Sequence, residues 1–367
     1  MPFWTDRTQA ASAQNTPPTQ LTSEQQRAVR ALTQELGDWA QTWRRAQGEQ
    51  LSDSAVDAEG HRQLWTKPDN TPVTWADIHI SKSLKEALNG THELRQLAQA
   101  SGGDMPGITP DIPVISEENP REMNEVILQH AREKAAKEGR DGPTYWSIDP
   151  IDGTSSFVDG GKEWGVFVGL VENGKPTIGV VYYPDQGKIF YSESDERNNC
   201  LRAMSNDGSN RRKPLRLQEA TGKLVLSENA ERMAEKGGVE IKMRSRVEPQ
   251  NGRPRGSLVL SGAADVHAYL PQKDHPELGC NEWDIAAVNA VVSAAGGIMW
   301  PIGKDGKSQT TWPTGKDGKP RNIPHCYGEQ DHMFVPPMWV GHPKTLQRAG
   351  IIPREVDLQR GDQQICR

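Results

Sequence analysis

Cysteine is scarce in this chain: four among 367 residues, at positions 200, 280, 326 and 366, with no Cys-x-x-Cys. That spacing excludes a zinc ribbon or a dithiol redox motif, and without a secretory signal the four thiols are expected to be reduced. An excess of basic charge is also missing. Lys and Arg number 43 against 49 Asp and Glu, for a net charge of −6. This removes the electrostatic footprint of a nucleic-acid binder, so no nucleic-acid polymer is expected as a partner. No apolar run approaches the roughly eighteen residues that a membrane helix needs, so no membrane association is expected. Residues 1–22 are rich in Thr, Gln, Ala and Pro and lack an apolar core. They read as a mobile arm and not a targeting peptide, which implies a cytoplasmic protein.

What the chain does have is concentrated in Asp149-Pro150-Ile151-Asp152-Gly153-Thr154. The strand-like run Tyr145-Trp146-Ser147-Ile148 leads into it, and Pro150 forbids simple continuation of that strand. A turn there can aim Asp149, the Ile151 carbonyl and Asp152 at one point. An all-oxygen ligand set suits a hard cation such as Mg²⁺. Gly153 and Thr154 offer backbone N–H groups, and Thr154 a hydroxyl, where a phosphate could sit beside the metal. An isolated Asp-x-x-Asp is also common as a solvated turn that caps local backbone.

Three more segments bear on that choice. Pro113-Val114-Ile115-Ser116-Glu117-Glu118 is an apolar strand ending in two acids. Thr71-Pro72-Val73-Thr74-Trp75-Ala76-Asp77 places an Asp at the start of an amphipathic helix. Asn281-Glu282-Trp283-Asp284-Ile285-Ala286-Ala287 brings an acid into a helix of small residues.

The chain is long enough for two lobes. A helix is expected over Ser23–Gln47, where Leu32, Leu36, Trp39 and Trp43 recur at helical spacing. Others are expected over 76–88 and 126–137, the latter ended by the turn signals of Glu138-Gly139-Arg140-Asp141-Gly142-Pro143. Strand-like runs cover 164–172, 177–183 and 187–192. Asn173-Gly174 between the first two is a hairpin signal, so the first lobe, 23–204, carries an antiparallel sheet. The second lobe, 205–355, opens on basic residues and a short strand at Leu224–Ser227. Its helix over 282–295 ends at Gly296-Gly297, a usual place for a left-handed cap. Residues 301–335 read as an insertion or long hairpin, with two similar turns at Asp305-Gly306 and Asp317-Gly318. Residues 356–367 form a polar tail. Cys280 is read as packing, since a thiolate is a poor ligand for Mg²⁺.

In their order and spacing the four acidic segments resemble the inositol monophosphatase-like family of Mg²⁺-dependent, Li⁺-sensitive phosphomonoesterases. That family's pattern runs Val-Thr-x-Ala-Asp, Glu-Glu, Asp-Pro-Ile/Leu-Asp-Gly-Thr, then Trp-Asp-x-x-Ala. The likeness covers roughly residues 65–300. It implies an α/β (α+β) fold, a layered α/β/α/β/α sandwich of the inositol monophosphatase and fructose-1,6-bisphosphatase kind, with mainly antiparallel sheets and the site between the lobes.

Carried over by position, the resemblance assigns Glu117, Asp149 and the Ile151 carbonyl to one Mg²⁺. Asp149, Asp152 and Asp284 fall to a second, and a third, weaker one would lie near Glu117. Thr154 and Asp77 match the pair that, with Glu117, orients and deprotonates the attacking water. Asp77 accepting the Thr154 proton lets the hydroxyl oxygen accept one from that water. Asp77 also suits a capping role at its helix start, and the two are compatible. Glu118 stands either behind the ligands or in solvent, and Trp283 is read as a core anchor. Phosphate oxygens are expected at the Gly153 and Thr154 N–H groups, with Ser155 alongside and Asp284 on the substrate side.

The expected partner is a small phosphorylated metabolite, with the chain acting as a monomer or homodimer. Gly279-Cys280-Asn281-Glu282-Trp283-Asp284 and Gly262-Ala263-Ala264-Asp265-Val266-His267-Ala268-Tyr269 are similar to segments of 3′(2′),5′-bisphosphate nucleotidases. Arg255 falls where those enzymes often carry a Lys that could meet the non-scissile phosphate. This favours 3′-phosphoadenosine 5′-phosphate, cleaved to AMP. Ser155-Ser156-Phe157 after Thr154 leans toward inositol- or histidinol-phosphate enzymes, and Ser227-Glu228-Asn229-Ala230 is a second departure from the nucleotidase pattern. A member that has kept the fold and the metal but lost turnover is a third reading.

Overall fold

The computed structural model describes residues 21–48, 51–52, 55–68, 70–90, 107–195, 200–206, 211–222, 224–237, 241, 244–248, 257–270, 280–302, 327, 335 and 337–352. Arg255, nearly all of the expected N-terminal arm, the 356–367 tail and most of 301–335 lie outside them.

Helix α1 (Ser23–Gln47) opens with a capping box. Thr22 accepts from the Gln25 backbone and the Gln25 side chain returns to the Thr22 N–H. Its Val29, Leu36, Ala40 and Trp43 are buried, and of the expected stripe Leu32 and Trp39 pack against the same core while staying partly exposed. A small antiparallel ribbon, β1 (Leu64–Thr66) and β2 (Pro72–Thr74), delivers the chain into α2 (Trp75–Asn89).

The main sheet has seven strands in sequence order. They are β3 (Val114–Ser116), β4 (Tyr145–Asp152), β5 (Gly165–Glu172), β6 (Lys175–Tyr183), β7 (Lys188–Asp195), β8 (Cys200–Asn206) and β9 (Lys213–Leu215). β3 runs parallel to β4 across the connection made by α3 (Arg121–Lys137), and the other pairings are antiparallel. α3 starts five residues earlier than expected. Its first turns carry Arg, Glu and Asn with little apolar periodicity to mark them, and Pro120 supplies the start. Asn173 and Gly174 both have positive φ, the paired left-handed turn that Asn-Gly favours. β9 carries the sheet on past residue 204, where the first lobe was expected to end.

Beyond a short helix, α4 (Thr154–Val158), between β4 and β5, the rest of the described chain builds a second sheet, ordered β11-β10-β12-β14-β13. β10 (Leu224–Ser227) runs parallel to both β11 (Arg244–Glu248) and β12 (Val266–Tyr269). β14 (Met338–Gly341) lies antiparallel to β12 and to β13 (Ile298–Pro301). Helices α5 (Glu228–Gly237) and α6 (Ser257–Leu260) separate β10, β11 and β12. β13 and β14 close the base of the 301–335 segment as a hairpin would, and the Ile302 N–H donates to the Pro337 carbonyl at 2.8 Å.

The layer between the sheets is α7 (Glu282–Ala294), followed after β14 by α8 (Pro343–Arg348). α7 lies in a trough of small residues on the main sheet. Register places Ser147 beside Gly169 and Gly169 beside Gly179, and the Gly179 N–H donates to Ser192 Oγ at 2.8 Å. A Cβ on Gly169 would stand 2.7 Å from the Ala287 nitrogen, and one on Gly179 would overlap the Ala287 carbonyl oxygen. The Ala-rich helix and the glycines opposite it therefore meet backbone to backbone, closer than ordinary side chains permit. Gly296, with φ +84°, ends the helix in the left-handed conformation expected of it. The result is the layered, mainly antiparallel α/β sandwich, with the parallel pairings gathered at β3/β4 and in the second sheet.

The expected reduced state of the thiols fails at one position. Cys200, at the start of β8, is disulfide-bonded and not a reduced thiol, with its partner outside the described residues. Spacing along a chain carries no information on which distant thiols meet in space. Cys280 packs, half-buried, against the core, as read.

Candidate metal and phosphate site

The acids converge for reasons local to each element. β4 pairs regularly with β5 as far as Asp149↔Phe167 and resumes at Asp152↔Gly165, with a register shift between. Pro150 and Ile151 occupy that bulge, which turns Asp149 and Asp152 toward the same side. Gly153 follows in the left-handed region, φ +84° and ψ +38°, and begins α4. A Cβ there would strike the Glu163 carbonyl, so the turn requires glycine on both counts.

Asp284 arrives from α7. It is the third residue of that helix and closes a capping box with Asn281. Carboxylate oxygens of Asp149, Asp152 and Asp284 all lie within 4.8 Å of one another. Parallel pairing of Ser116 with Ile148 brings Glu117 alongside Asp149, and the Glu117 N–H donates to the Ile148 carbonyl at 3.1 Å.

This concentration of negative charge is costly without a cation. Asp149 is buried, and its Oδ1 has no hydrogen-bond partner among the described residues. Its pKa is driven well above the usual carboxylate range by burial first, then by the charges of Glu117, Asp152 and Asp284. Asp284 is raised by burial, then by Asp152 and Glu117. A hard divalent cation would satisfy the orphaned oxygen and reverse the repulsion. The donors present, carboxylates and one backbone carbonyl, therefore fit such an ion.

The second feature is the contact between Thr154 and Asp77. Thr154 Oγ1 lies 2.9 Å from the Ile151 carbonyl and 3.3 Å from Asp77 Oδ1. Its single proton can favour either acceptor. Asp77 Oδ2 accepts from the Thr74 N–H at 2.8 Å and the Thr74 hydroxyl at 2.5 Å. Thr74, not Asp77, is thus the N-cap of α2, and Asp77 closes the capping box while its other oxygen faces Thr154. Asp77 is fully buried, and its pKa is pushed up to about 8 by burial first, then by Glu118; the Thr74 hydroxyl opposes this and Glu117 adds to it.

A pH dependence follows. A carboxyl whose folded pKa lies above its unfolded value binds more protons in the folded state, so it favours folding most at low pH. For Asp77 that contribution is lost as pH rises from near 3.8 through about 8, and Asp149 and Asp284 act in the same direction. Metal-stripped protein is expected to lose thermal stability across that window, and a divalent cation to restore most of it at the upper end. Melting temperature against pH, with chelator and with excess Mg²⁺, checks this; a flat profile under chelator would contradict it.

Sequence reasoning missed Lys67. It sits in the turn between β1 and β2, and its Nζ lies 2.8 Å from Glu117 Oε1 and 2.7 Å from Glu118 Oε1. Burial alone would depress the ammonium, but the two carboxylates outweigh that and hold its pKa above the ordinary range. Glu118 therefore stands behind the cluster, not in solvent, with its side chain 5% exposed. A lone Lys in a polar turn carries no periodic or motif signal. Of the other residues expected here, Gly153 and Ser155 are exposed at the mouth of the turn.

A separate cluster of Asp57, Glu59 and His61 also brings ligand atoms within 4.8 Å of one another. The Asp57 oxygens already accept from Trp43 Nε1 and from the Glu59 and His61 N–H groups, and His61 Nδ1 lies 3.1 Å away. These bonds hold its own loop.

Two stacked sheets with a helix between them, and acids converging on the buried Asp149 from β4, from the turn after β3 and from that helix, define a site of the metal-dependent phosphatase class. The chain belongs to the inositol monophosphatase family, whose model matches residues 32–323, and it is a phosphatase. It is 30% identical over 232 residues to a 3′(2′),5′-bisphosphate nucleotidase CysQ of Escherichia coli, a match covering 63% of this chain and 76% of that protein. The CysQ of Shigella flexneri is 31% identical over the same shares of the two chains. Among solved structures, the CysQ of Bacteroides thetaiotaomicron has a TM-score of 0.50 at 18% identity and covers 87% of this chain and 97% of its own. An IMPase of Thermotoga maritima also scores 0.50 at 18% identity, covering 90% and 95%. These two likenesses concern the fold.

Proposed function

We propose that the protein is a Mg²⁺-dependent, Li⁺-sensitive 3′(2′),5′-bisphosphate nucleotidase that hydrolyses 3′-phosphoadenosine 5′-phosphate to AMP and phosphate. The observation that carries the chemistry is the convergence of Asp149, Asp152 and Asp284 within 4.8 Å, with Asp149 Oδ1 buried and lacking a partner among the described residues. Glu117, Asp149 and the Ile151 carbonyl would hold one Mg²⁺, and Asp149, Asp152 and Asp284 the other. When bound, the pair supplies a lowered pKa for the attacking water and charge neutralisation on the leaving oxygen. A third cation near Glu117 would compete with the Lys67 ammonium, which already occupies that side. This favours two.

The chain's own residues do the rest. With cations relieving the repulsion, Asp77 is held as a carboxylate and accepts the Thr154 proton. The Thr154 oxygen is then left to accept one from the attacking water, with Glu117 beside it. The Gly153 and Thr154 N–H groups and Ser155 hold phosphate oxygens at the exposed turn. Arg255 is the residue we assign to the second phosphate.

The substrate reading is supported by the likeness to the 3′(2′),5′-bisphosphate nucleotidases of Escherichia coli and Shigella flexneri and by the Gly262–Tyr269 segment. Ser155-Ser156-Phe157, with Ser155 exposed beside the acids, favours an inositol- or histidinol-phosphate enzyme as the second reading. We take the partner to be a small phosphorylated metabolite and the assembly to be a monomer or homodimer. No helix of the described residues is long and apolar enough to cross a membrane. We place the protein in the cytoplasm, and the Cys200 disulfide is the observation that favours an oxidising compartment instead.

The test is phosphate release with Mg²⁺, with and without Li⁺, from 3′-phosphoadenosine 5′-phosphate, inositol 1-phosphate, histidinol phosphate and fructose 1,6-bisphosphate. Preference for the nucleotide, suppressed by Li⁺, is expected. Preference for inositol or histidinol phosphate would replace the substrate assignment and keep the site. No release from any of the four would point to a member without turnover.

A further inference from the structure

Tyr145 and Glu282 stand outside the acid cluster, yet each opens one of the elements that build it. Tyr145 begins β4, which carries Asp149 and Asp152; Glu282 begins α7, two residues before Asp284. The Tyr145 hydroxyl donates to Glu282 Oε2 at 2.5 Å, and both residues are 0% exposed. A carboxylate taken wholly out of water is costly unless it is paired. Here a phenol donor and the N-terminal end of a helix offset that cost. Burial and the Glu282 charge hold the Tyr145 pKa well above its ordinary value, so the phenol remains a donor.

The geometry links this bond to the acids. Alternation along β4 puts Tyr145, Ser147 and Asp149 on one face. Ser147 is the register partner of Gly169, the glycine pressed against Ala287. The first turns of α7 therefore cross β4 near Ser147, with Tyr145 to one side and Asp149 to the other. Helix residues two apart point roughly 200° from each other. When Glu282 reaches Tyr145, Asp284 is turned to the Asp149 side.

A second tie lies two turns along. Asn289, seven residues after Glu282 and on the same stripe of α7, donates from Nδ2 to Tyr327 Oη at 3.0 Å. Between these ties the helix rests on glycine and alanine. Such a surface allows close approach but offers few ridges to resist rotation about the helix axis.

We propose that the Tyr145–Glu282 bond is a positioning device. It sets the rotation of α7 and so the separation of Asp284 from Asp149 and Asp152, and with it the affinity for the cation those three would share. The inference rests on the metal-site reading above.

The experiment is calorimetric titration of Mg²⁺ into the metal-stripped full chain, alongside melting temperature under chelator. In Tyr145→Phe the affinity for the second Mg²⁺ is expected to fall about tenfold, the scale for groups that orient a ligand, with the first changed by less than about twofold. Glu282→Gln keeps an acceptor for the phenol and should stay close to wild type. If Tyr145→Phe does not fold, the double variant Tyr145→Phe/Glu282→Leu removes both polar partners, a change that can be nearly neutral for stability. It should show the same selective loss. A merely structural bond would lower the melting temperature and leave both affinities intact. That result, or equal weakening of both affinities, overturns the proposal. A wild-type chain that binds no Mg²⁺ would overturn the metal reading itself; two-site binding by wild type and variants alike would overturn this inference alone.

Discussion

Asp152→Asn is expected to abolish phosphate release while leaving the fold intact and making the metal-stripped protein more stable. The substitution keeps the side chain's shape and removes its charge, so a shared cation loses a ligand. Metal clamping contributes several kcal/mol to the transition state. At about 1.36 kcal/mol per factor of ten, the loss is on the order of 10³-fold or more in rate. The gain in stability has a separate cause. The Asp152 charge helps to drive both Asp149 and Asp284 above the usual carboxylate range. Its removal should relieve them where they would otherwise be forced to ionise. Turnover with Mg²⁺ and melting temperature at mildly alkaline pH under chelator read the two effects separately. Near-normal turnover would show that the assignment of ligands is wrong.

Gly179→Ala is expected to cost about 1–3 kcal/mol of stability, the usual range for overpacking, and toward its upper end. The added methyl would overlap the Ala287 carbonyl oxygen and stand 3.0 Å from the Ala290 Cβ. The first obstacle is backbone, which cannot rotate aside. α7 must lift, and Asp284 must lift with it, so the stabilisation conferred by Mg²⁺ should shrink as well. Gly222→Ala is the control, since a Cβ there meets nothing within 4 Å and its φ is not in the left-handed region. Denaturant unfolding with and without Mg²⁺ compares the two variants. Equal stability would mean that the close approach of α7 to the sheet is not needed.

How much of this could be read from the chain depends on whether the physics is local. The turn after β4 announces itself, because Pro150 interrupts a strand between two acids and Gly153 follows where φ must be positive. Asn173-Gly174, the α1 stripe and the small-residue character of α7 are equally local signals. Asp77, Asp149, Asp152 and Asp284 lie on the elements expected for them, and Glu117 and Glu118 fall in the turn directly after β3. What could not be read depends on distant contacts. Lys67 reaches Glu117 across 50 positions and Tyr145 reaches Glu282 across 137. The Cys200 disulfide and the extension of the main sheet through β9 are likewise decided by tertiary contact. The capping of α2 was half legible: an acid at the helix start was evident, but not that Thr74 would take the cap and leave one Asp77 oxygen for Thr154.

The most direct measurement is phosphate release from 3′-phosphoadenosine 5′-phosphate by metal-stripped protein, titrated with Mg²⁺ and compared with Asp152→Asn. The account predicts no release without metal. It predicts activity that returns with a dependence on more than one Mg²⁺, and a variant that stays silent at every concentration. Release that survives stripping, or that Asp152→Asn sustains at the wild-type rate, would contradict it.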